Sequence, residues 1–121
     1  MGSQRRNWIV EYTDQFEAWW SGLRAEEQTS VAAPVLFRPV LARPHSDTIK
    51  GSRFPNMKEL RVQNQGRPLR VLYAFDPRRA AILLLGGHKT GDARWYEVQV
   101  PIADRLYAEH LAMLRREGLI E

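Results

Sequence analysis

The chain has 121 residues, 44% of them hydrophobic and 26% charged, which suits one folded domain over residues 1–121. It contains no cysteine, and this excludes disulfides and thiolate metal sites. No apolar stretch approaches the roughly 20 residues that a membrane-spanning helix needs, and no apolar run of signal-peptide length follows Arg5 and Arg6. We therefore expect a cytoplasmic protein that has no membrane partner.

The net charge of +4 is concentrated in one part of the chain. Six basic residues and one acid, Glu59, lie between Lys50 and Arg70, so this window carries +5 and the rest of the chain −1. A local excess of positive charge suits contact with phosphate groups. A solvated basic surface is the alternative, and charge alone does not separate the two.

The first predicted elements are a short strand and a helix. Residues 8–12 alternate and are rich in β-branched and aromatic side chains, which is typical of a strand. Thr13 or Asp14 can cap the helix that follows by accepting a hydrogen bond from its first turn. Four apolar residues at helical spacing predict the buried stripe of that helix: Phe16, Trp19, Trp20 and Leu23.

A second helix is predicted over residues 26–37. Pro34 and Pro39 each remove a backbone donor, so we expect this helix to kink or to stop early. Residues 42–57 contain prolines and a glycine among polar side chains and are interpreted as a loop.

The central region predicts three strands, over residues 57–62, 69–75 and 80–85, with Gly86 and Gly87 ending the third. The segments 63–68 and 76–77 have the residue types of turns, so the strands should form an antiparallel meander.

The C-terminal region predicts an extended segment over 95–100 and a helix over 102–117, with Pro101 in its first turn. The fold class is therefore α+β, a small antiparallel sheet with N-terminal helices and a C-terminal helix, which we expect to cover one face.

Basic side chains follow the predicted strands and turns. Arg and Lys stabilise the negative charge that develops on a phosphodiester, and in RNA the 2′-OH supplies the nucleophile, so no metal is needed. Strand alternation places Lys58 and Arg61 on opposite faces, so these two meet only through a bulge, a strong twist or a sheet edge. The pattern fits an RNA-binding or RNA-cleaving surface, and composition by itself favours solvated surface cations.

The remaining polar motifs indicate no cofactor and no metal. The three histidines lack metal-ligand spacing. His110 lies on the apolar face of the last helix and suits packing, His45 lies in a polar loop, and His88 is the one candidate for a proton carrier or phosphate contact. The glycines of residues 86–91 lack the spacing of a nucleotide-binding loop. Trp95 and Tyr96 suit base stacking or closure of the core, and we favour closure.

Three segments carry a family resemblance: residues 51–61, 66–77 and 83–91. They resemble the HigB-like branch of the RelE/ParE toxin superfamily. The strand and helix over residues 8–23 and the helix segment 103–111 also fit, so the resemblance covers most of residues 8–117. The most specific part combines Lys-Glu-Leu-Arg at 58–61 with Arg-Val-Leu-Tyr-Ala-Phe at 70–75.

The resemblance implies a compact RelE-like α+β domain and a toxin of a type II toxin–antitoxin system. Such a toxin would be a ribosome-dependent mRNA endonuclease (an mRNA interferase) that inhibits translation through attack of the RNA 2′-OH on the phosphodiester. Carried over by position, Arg61 and Arg70 would stabilise the phosphate, and Lys58 or Lys89 would transfer a proton or position the substrate. The residues expected to bind substrate are Arg53, Arg67 and His88.

The resemblance also implies partners and leaves alternatives. The partners would be mRNA on the ribosome and a cognate antitoxin, a class that often carries a helix-turn-helix domain. One alternative is a ParE-like inhibitor of a DNA topoisomerase. Another is an inactive antitoxin-binding module, because His88 stands where we expect an acidic or neutral residue and the region from Pro34 to Pro39 departs from the continuous second helix of the family.

Overall fold

The computed structural model describes residues 9–36, 46–88 and 94–121, which form three helices and a five-stranded sheet. In chain order the elements are β1 (Val10–Tyr12), α1 (Asp14–Ser21), α2 (Ala25–Leu36), β2 (Ser46–Thr48), β3 (Met57–Asn64), β4 (Arg67–Phe75), β5 (Ala81–His88) and α3 (Arg94–Arg116). The strand order is β1-β5-β4-β3-β2. Strands β3 to β5 form the predicted antiparallel meander, β2 extends it antiparallel to β3, and β1 adds parallel to β5, so the sheet is mixed. The α+β fold class is confirmed.

Thr13 connects the first helix to the centre of the sheet. Its Oγ1 accepts a hydrogen bond from the Phe16 backbone N–H at 3.0 Å, so Thr13 rather than Asp14 is the N-cap of α1. The same hydroxyl donates to the backbone carbonyl of Leu84 in β5 at 2.7 Å. One side chain thus satisfies a helix end and fixes α1 against the sheet.

Two helices contain a proline that the sequence interpretation treated as a boundary. Helix α2 includes Pro34, so a stop before that residue is wrong, whereas Pro39 lies outside the described residues. Helix α3 begins at Arg94 and includes Pro101, so the extended segment predicted over 95–100 is wrong. An interior proline costs a helix about 3 kcal/mol. Burial of an apolar face that starts before Pro101, at Val100, and continues beyond it offsets this cost.

The hairpin of β3 and β4 is longer than predicted. The turn was predicted over residues 63–68, but it consists of only two residues, Gln65 and Gly66. Both have positive φ values (52° and 80°), as in a type I′ turn. Strand β2 lies inside the segment interpreted as a loop, because Ser46–Thr48 pairs with Lys58–Leu60 on the far edge of the sheet.

Gly86 and Gly87 continue β5 instead of ending it. A Cβ atom on Gly86 would lie 2.0 Å from the Trp19 ring, and one on Gly87 would lie 2.9 Å from the Trp95 ring. The two glycines therefore admit an indole from each side of the sheet, because only a residue without a side chain leaves room for such close contacts.

The helices cover both faces of the sheet, so the expectation that they cover one face is wrong. On one face α1 and α2 pack on a cluster that includes Leu60, Val71 and Leu83. On the other face α3 packs on a cluster that includes Leu72 and Ile82. A register shift opposite Leu72 and Tyr73 leaves Leu84 as an extra residue in β5, so the consecutive residues Leu84 and Leu85 both belong to the cluster under α3. None of the helices in the described ranges is long and apolar enough to cross a membrane.

Candidate functional site

Arg61 and Arg70 lie directly opposite each other in β3 and β4, on the face that α3 covers. Glu59 is two residues before Arg61 and therefore shares its face. The Arg70 Nε atom lies 3.2 Å from Glu59 Oε2, and the Arg61 Nη1 atom lies 3.8 Å from Glu59 Oε1. The carboxylate offsets the repulsion between two like charges on neighbouring strands.

Tyr96 completes this group from the first turn of α3. Its hydroxyl donates a hydrogen bond to Glu59 Oε2. Burial raises the pKa of Tyr96, and the bond to Glu59 raises it further. The phenol therefore stays protonated as a donor. We call Glu59, Arg61, Arg70 and Tyr96 the Glu59 cluster.

Exposure within the Glu59 cluster increases from the carboxylate outward. The side chain of Glu59 is 8% exposed, that of Arg70 is 13% exposed and that of Arg61 is 35% exposed. Two guanidinium groups against one carboxylate leave one net positive charge. The cluster can therefore present Arg61 to an anion from solvent, with Arg70 behind it, which suits a phosphate group.

Three other predicted site residues lie across the sheet from Arg61. Lys58 is two residues before Leu60 in β3 and therefore shares its face of the sheet, which packs under α1 and α2. The Lys58 Nζ atom lies 3.4 Å from Thr48 Oγ1. Arg67 and His88 both approach the buried Glu27 of α2, with Arg67 Nη1 and His88 Nε2 each 3.4 Å from Glu27 Oε2.

Glu27 is the centre of a second charged group, which we call the Glu27 cluster: Glu27, Arg24, Arg67 and His88. The backbone N–H of Arg24 donates to Glu27 Oε1 at 3.0 Å and lowers the pKa of this carboxyl. His88 and the positive charges of Arg67 and Arg24 lower it further and outweigh the opposing effect of burial. The ionised carboxylate of Glu27 thus connects α2 to the ends of β4 and β5.

Two predicted residues remain. Arg53 lies apart from Arg61, and Lys89 lies outside the described residues. Arg53 is on the α3 side, where its backbone N–H donates to Asp104 Oδ2 at 3.0 Å and its guanidinium lies over Phe54. Asp104 is eight residues beyond Tyr96, or about 12 Å along the helix. Of the seven predicted residues, the structure therefore brings Arg61 and Arg70 together at Glu59, and Arg67 and His88 together at Glu27 across the sheet.

A third charged group fixes the turn between β4 and β5. Burial raises the pKa of Asp76, but hydrogen bonds from Arg78, His110 and the Ala80 backbone N–H outweigh it and hold the pKa below its ordinary value. Arg78 also bonds Glu11 at 2.8 Å, which joins β1 to this turn. His110 was expected to pack on the apolar face of its helix; its ring stacks on Tyr107 and also makes this hydrogen bond to Asp76. In the described parts of the chain, no three acidic or histidine side chains are arranged to hold a metal ion.

Two residues of the Glu59 cluster were absent from the predicted site. Glu59 carried a signal in the sequence, because it is the one acid in the basic window from Lys50 to Arg70. Tyr96 carried none, since its segment was interpreted as extended and its contact with Glu59 spans 37 positions in the chain. The preference for Trp95 and Tyr96 as closure of the core is confirmed, because both pack against the cluster under α3.

Comparison with known proteins identifies the family and the fold. The model of the family described as phage-derived protein Gp49-like (DUF891) matches residues 18–108. The chain is 46% identical over 111 residues to the putative toxin HigB2 of Mycobacterium tuberculosis, covering 87% of this chain and 55% of that protein. It is 44% identical to the putative toxin HigB3 of the same organism, covering 81% of this chain and 89% of that protein. The chain thus spans about half the length of HigB2 and most of HigB3.

Among solved structures, a chain of the intact E. coli RelBE toxin–antitoxin complex shares the fold, with a TM-score of 0.52 and 13% identity. The match covers 68% of this chain and 96% of that one. The expected resemblance to the HigB-like branch of the RelE/ParE superfamily is confirmed. The protein belongs to the Gp49-like family of HigB/RelE type.

Proposed function

We propose that this protein is the toxin of a type II toxin–antitoxin system and that it cleaves mRNA on the ribosome, in the cytoplasm, at the Glu59 cluster. The observation that carries the proposal is the cross-strand pair of Arg61 and Arg70 around one buried carboxylate, with Arg61 reaching solvent. The relatives support the toxin class, because both are described as putative toxins and one aligns over most of its length.

The reaction that suits two arginines is transfer of the phosphodiester to the neighbouring 2′-OH of the RNA. The 2′-oxygen forms a bond to phosphorus, the bond from phosphorus to the 5′-oxygen breaks, and the products are a 2′,3′-cyclic phosphate and a 5′-hydroxyl. Arg61 and Arg70 stabilise the charge that develops on the phosphate oxygens. Because the RNA supplies the nucleophile, the protein needs no activated nucleophile of its own.

Glu59 and Tyr96 hold the two arginines in place in this proposal: the carboxylate pairs with both guanidinium groups, and the Tyr96 hydroxyl donates a hydrogen bond to it. The 2′-OH loses its proton to water and the departing 5′-oxygen takes one from water, on opposite sides of the phosphorus. Lys89 stays a candidate for proton transfer or substrate positioning on the strength of the family resemblance. Lys58, Arg67 and His88 lie across the sheet, so they do not contact the reacting phosphate in this arrangement.

Expression in bacteria with mapping of RNA ends tests the proposal. We expect growth arrest together with new 5′-hydroxyl ends inside translated messages. Arg61→Ala should reduce cleavage by about 100-fold, the scale of losing one group that stabilises transition-state charge. Arg67→Ala is a matched control, because both arginines belong to the same hairpin and reach solvent on opposite faces, and it should change cleavage by less than about threefold. Intact mRNA during arrest, or equal effects of the two variants, contradicts the proposal.

The same experiment separates the two alternatives. Arrest with DNA breaks and unaltered mRNA would indicate a topoisomerase inhibitor of ParE type. Absence of arrest, with tight binding of the protein encoded by the neighbouring gene, would indicate an inactive antitoxin-binding module. The proposal itself predicts that co-expression of that neighbouring protein relieves the arrest, and it includes a helix-turn-helix domain in that partner.

A further inference from the structure

Two consecutive glycines of β5 lie beside the two arginines of the Glu59 cluster. In the register of the sheet Arg70 is directly opposite Arg61 on one side and Gly87 on the other, so the three positions form one row across β3, β4 and β5. Residues in such a row share a face of the sheet, and consecutive positions of a strand face opposite sides. Gly87 therefore faces the side of the Glu59 cluster, and Gly86 faces the side of α1 and α2.

An indole covers each glycine. A Cβ atom on Gly87 would lie 2.9 Å from Nε1 of Trp95, and one on Gly86 would overlap the ring of Trp19. The backbone of β5 is therefore a single layer between two rings at this level of the sheet. Neighbouring strands lie about 4.8 Å apart, so the Trp95 ring lies beside the backbone of Arg70. The two indoles together fix the position of β5 perpendicular to the sheet.

The ring of Trp95 also contacts the Glu59 cluster. It meets the ring of Tyr96 edge to face, with 5.1 Å between the ring centroids and an angle of 87° between the planes. Tyr96 donates a hydrogen bond to Glu59, whose Oε2 atom lies 3.2 Å from Nε of Arg70. Direct contacts thus lead from Trp19 through the β5 backbone and Trp95 to the group that holds Arg70.

The indole of Trp19 buries a donor that a smaller ring would not have. Its Nε1 atom is buried and has no hydrogen-bond partner among the described residues. A buried donor without a partner lowers stability, so a phenylalanine here would regain part of what the smaller ring loses. Neighbouring rings hold the indole in place, since the centroids of Phe16 and His88 lie 5.6 and 6.4 Å from it. Packing alone is therefore a weak reason for tryptophan at this position.

We propose that Trp19 is a positioning residue for RNA cleavage, although it lies on the face of the sheet opposite the Glu59 cluster. Its ring holds β5, and β5 holds Trp95 at the distance that places Arg70 against the phosphate. The rate depends on this placement, because an error of about 1 Å in the position of a reacting group can reduce a rate about 100-fold. The role in cleavage rests on the proposed function, whereas the coupling of Trp19 to Arg70 rests on the contacts alone.

Trp19→Phe tests the proposal, because a phenyl ring is smaller and leaves part of the space beside Gly86 empty. With ribosomes programmed with a short mRNA, the rate constant of cleavage at saturation should fall about tenfold and the half-saturating concentration should change less than about twofold. The urea midpoint should shift by less than about 0.5 M, since the unpartnered N–H is lost together with ring area. Trp20→Phe is the matched control on the same helix, where the ring stacks on Phe16, and it should leave the rate constant unchanged.

A spectroscopic measurement makes the test independent of cleavage. In heteronuclear NMR spectra the indole signal of Trp95 and the Nε–H signal of Arg70 should shift in Trp19→Phe and stay in place in Trp20→Phe. Gly86→Ala displaces the ring instead of shrinking it and should shift the same two signals. Unshifted signals in Trp19→Phe, equal rate constants in the two tryptophan variants, or a loss confined to the half-saturating concentration overturn the inference. Absence of cleavage by the unaltered protein would overturn the proposed function, and the two signals would still decide the coupling.

Discussion

The two faces of the sheet each hold one buried glutamate, and the surroundings of these glutamates differ. Glu59 is paired with Arg70, whose side chain is 13% exposed, and with a tyrosine under α3. Glu27 is paired with Arg24 and Arg67, whose side chains are 51% and 47% exposed. The first is an ion pair inside the protein, and the second connects a buried carboxylate to solvated cations.

Under the proposed function, this difference separates the site of reaction from a structural contact. Charges in a secluded site interact strongly because little water screens them, and such sites hold donors ready for developing charge. Charges that stay in water gain little from their pairing. The basic residues of the hairpin were one group in the sequence, and the sheet divides them between these two surroundings.

The largest expected effect comes from removal of the two glutamates. Glu59→Ala leaves Arg70 buried beside no carboxylate and should reduce the free energy of unfolding by about 3 kcal/mol or more. Glu27→Ala should cause a smaller loss, because Arg24 and Arg67 return to water. Urea denaturation measures both. A double variant, Glu59→Leu with Arg70→Met, should recover most of the stability. An equal or larger loss in Glu27→Ala would contradict the comparison.

The next effect tests the two indoles that approach β5 from opposite sides. Gly86→Ala places a methyl group against the Trp19 ring at 2.0 Å and should reduce the free energy of unfolding by about 2 kcal/mol. Gly87→Ala meets the Trp95 ring at 2.9 Å and should cost less, since a shift of a few tenths of an ångström relieves the contact. Thermal unfolding of both variants checks the order. A Gly87→Ala variant less stable than Gly86→Ala would show that the α3 side is the tighter one.

The smallest effect is a dependence of stability on acid pH. The lowered pKa of Glu27 means that the unfolded chain takes up a proton first as the pH falls below the ordinary value of 4.5. The contribution of Glu27 to stability is therefore present above that pH and is lost as the pH falls through the folded pKa. Glu27→Gln should flatten the dependence between about pH 5 and 3, measured by urea midpoints, whereas Glu117→Gln at an exposed site should not. Parallel slopes in the two variants would contradict the assignment.

Local pattern determined most of the secondary structure. The stripe from Phe16 to Leu23, the β-branched and aromatic run that ends at Phe75, and the periodicity beyond Ile102 each depend on neighbours a few positions away, and all three were predicted. The errors were at Pro34, Pro101, Gly86 and Gly87, in the extent of the turn between β3 and β4, and in the missed edge strand β2. A proline inside a helix and a glycine inside a strand each lower the local stability of that element, and here contacts with distant elements offset the loss.

The candidate site also combines features that the sequence predicted with contacts that only the structure shows. The concentration of basic charge and the family resemblance, through the motifs around Lys58 and Arg70, were readable in the sequence. The sequence placed Arg61 and Arg70 in one predicted hairpin, and the structure shows that they lie directly opposite each other. The contact of Tyr96 with Glu59, and that of Glu27 with Arg67 and His88, each join elements far apart in the chain.

By itself, the sequence determined that this is a small α+β toxin-like domain with a basic hairpin, since periodicity, composition and short motifs are properties of neighbouring residues. Strand alternation already separated Lys58 from Arg61, and only the tertiary structure decided which buried glutamate each cation meets. The helices cover both sides of the sheet, so a shift of one strand position transfers a side chain from the Glu59 cluster to the opposite surface. The same packing leaves the pair of arginines on the face that α3 covers.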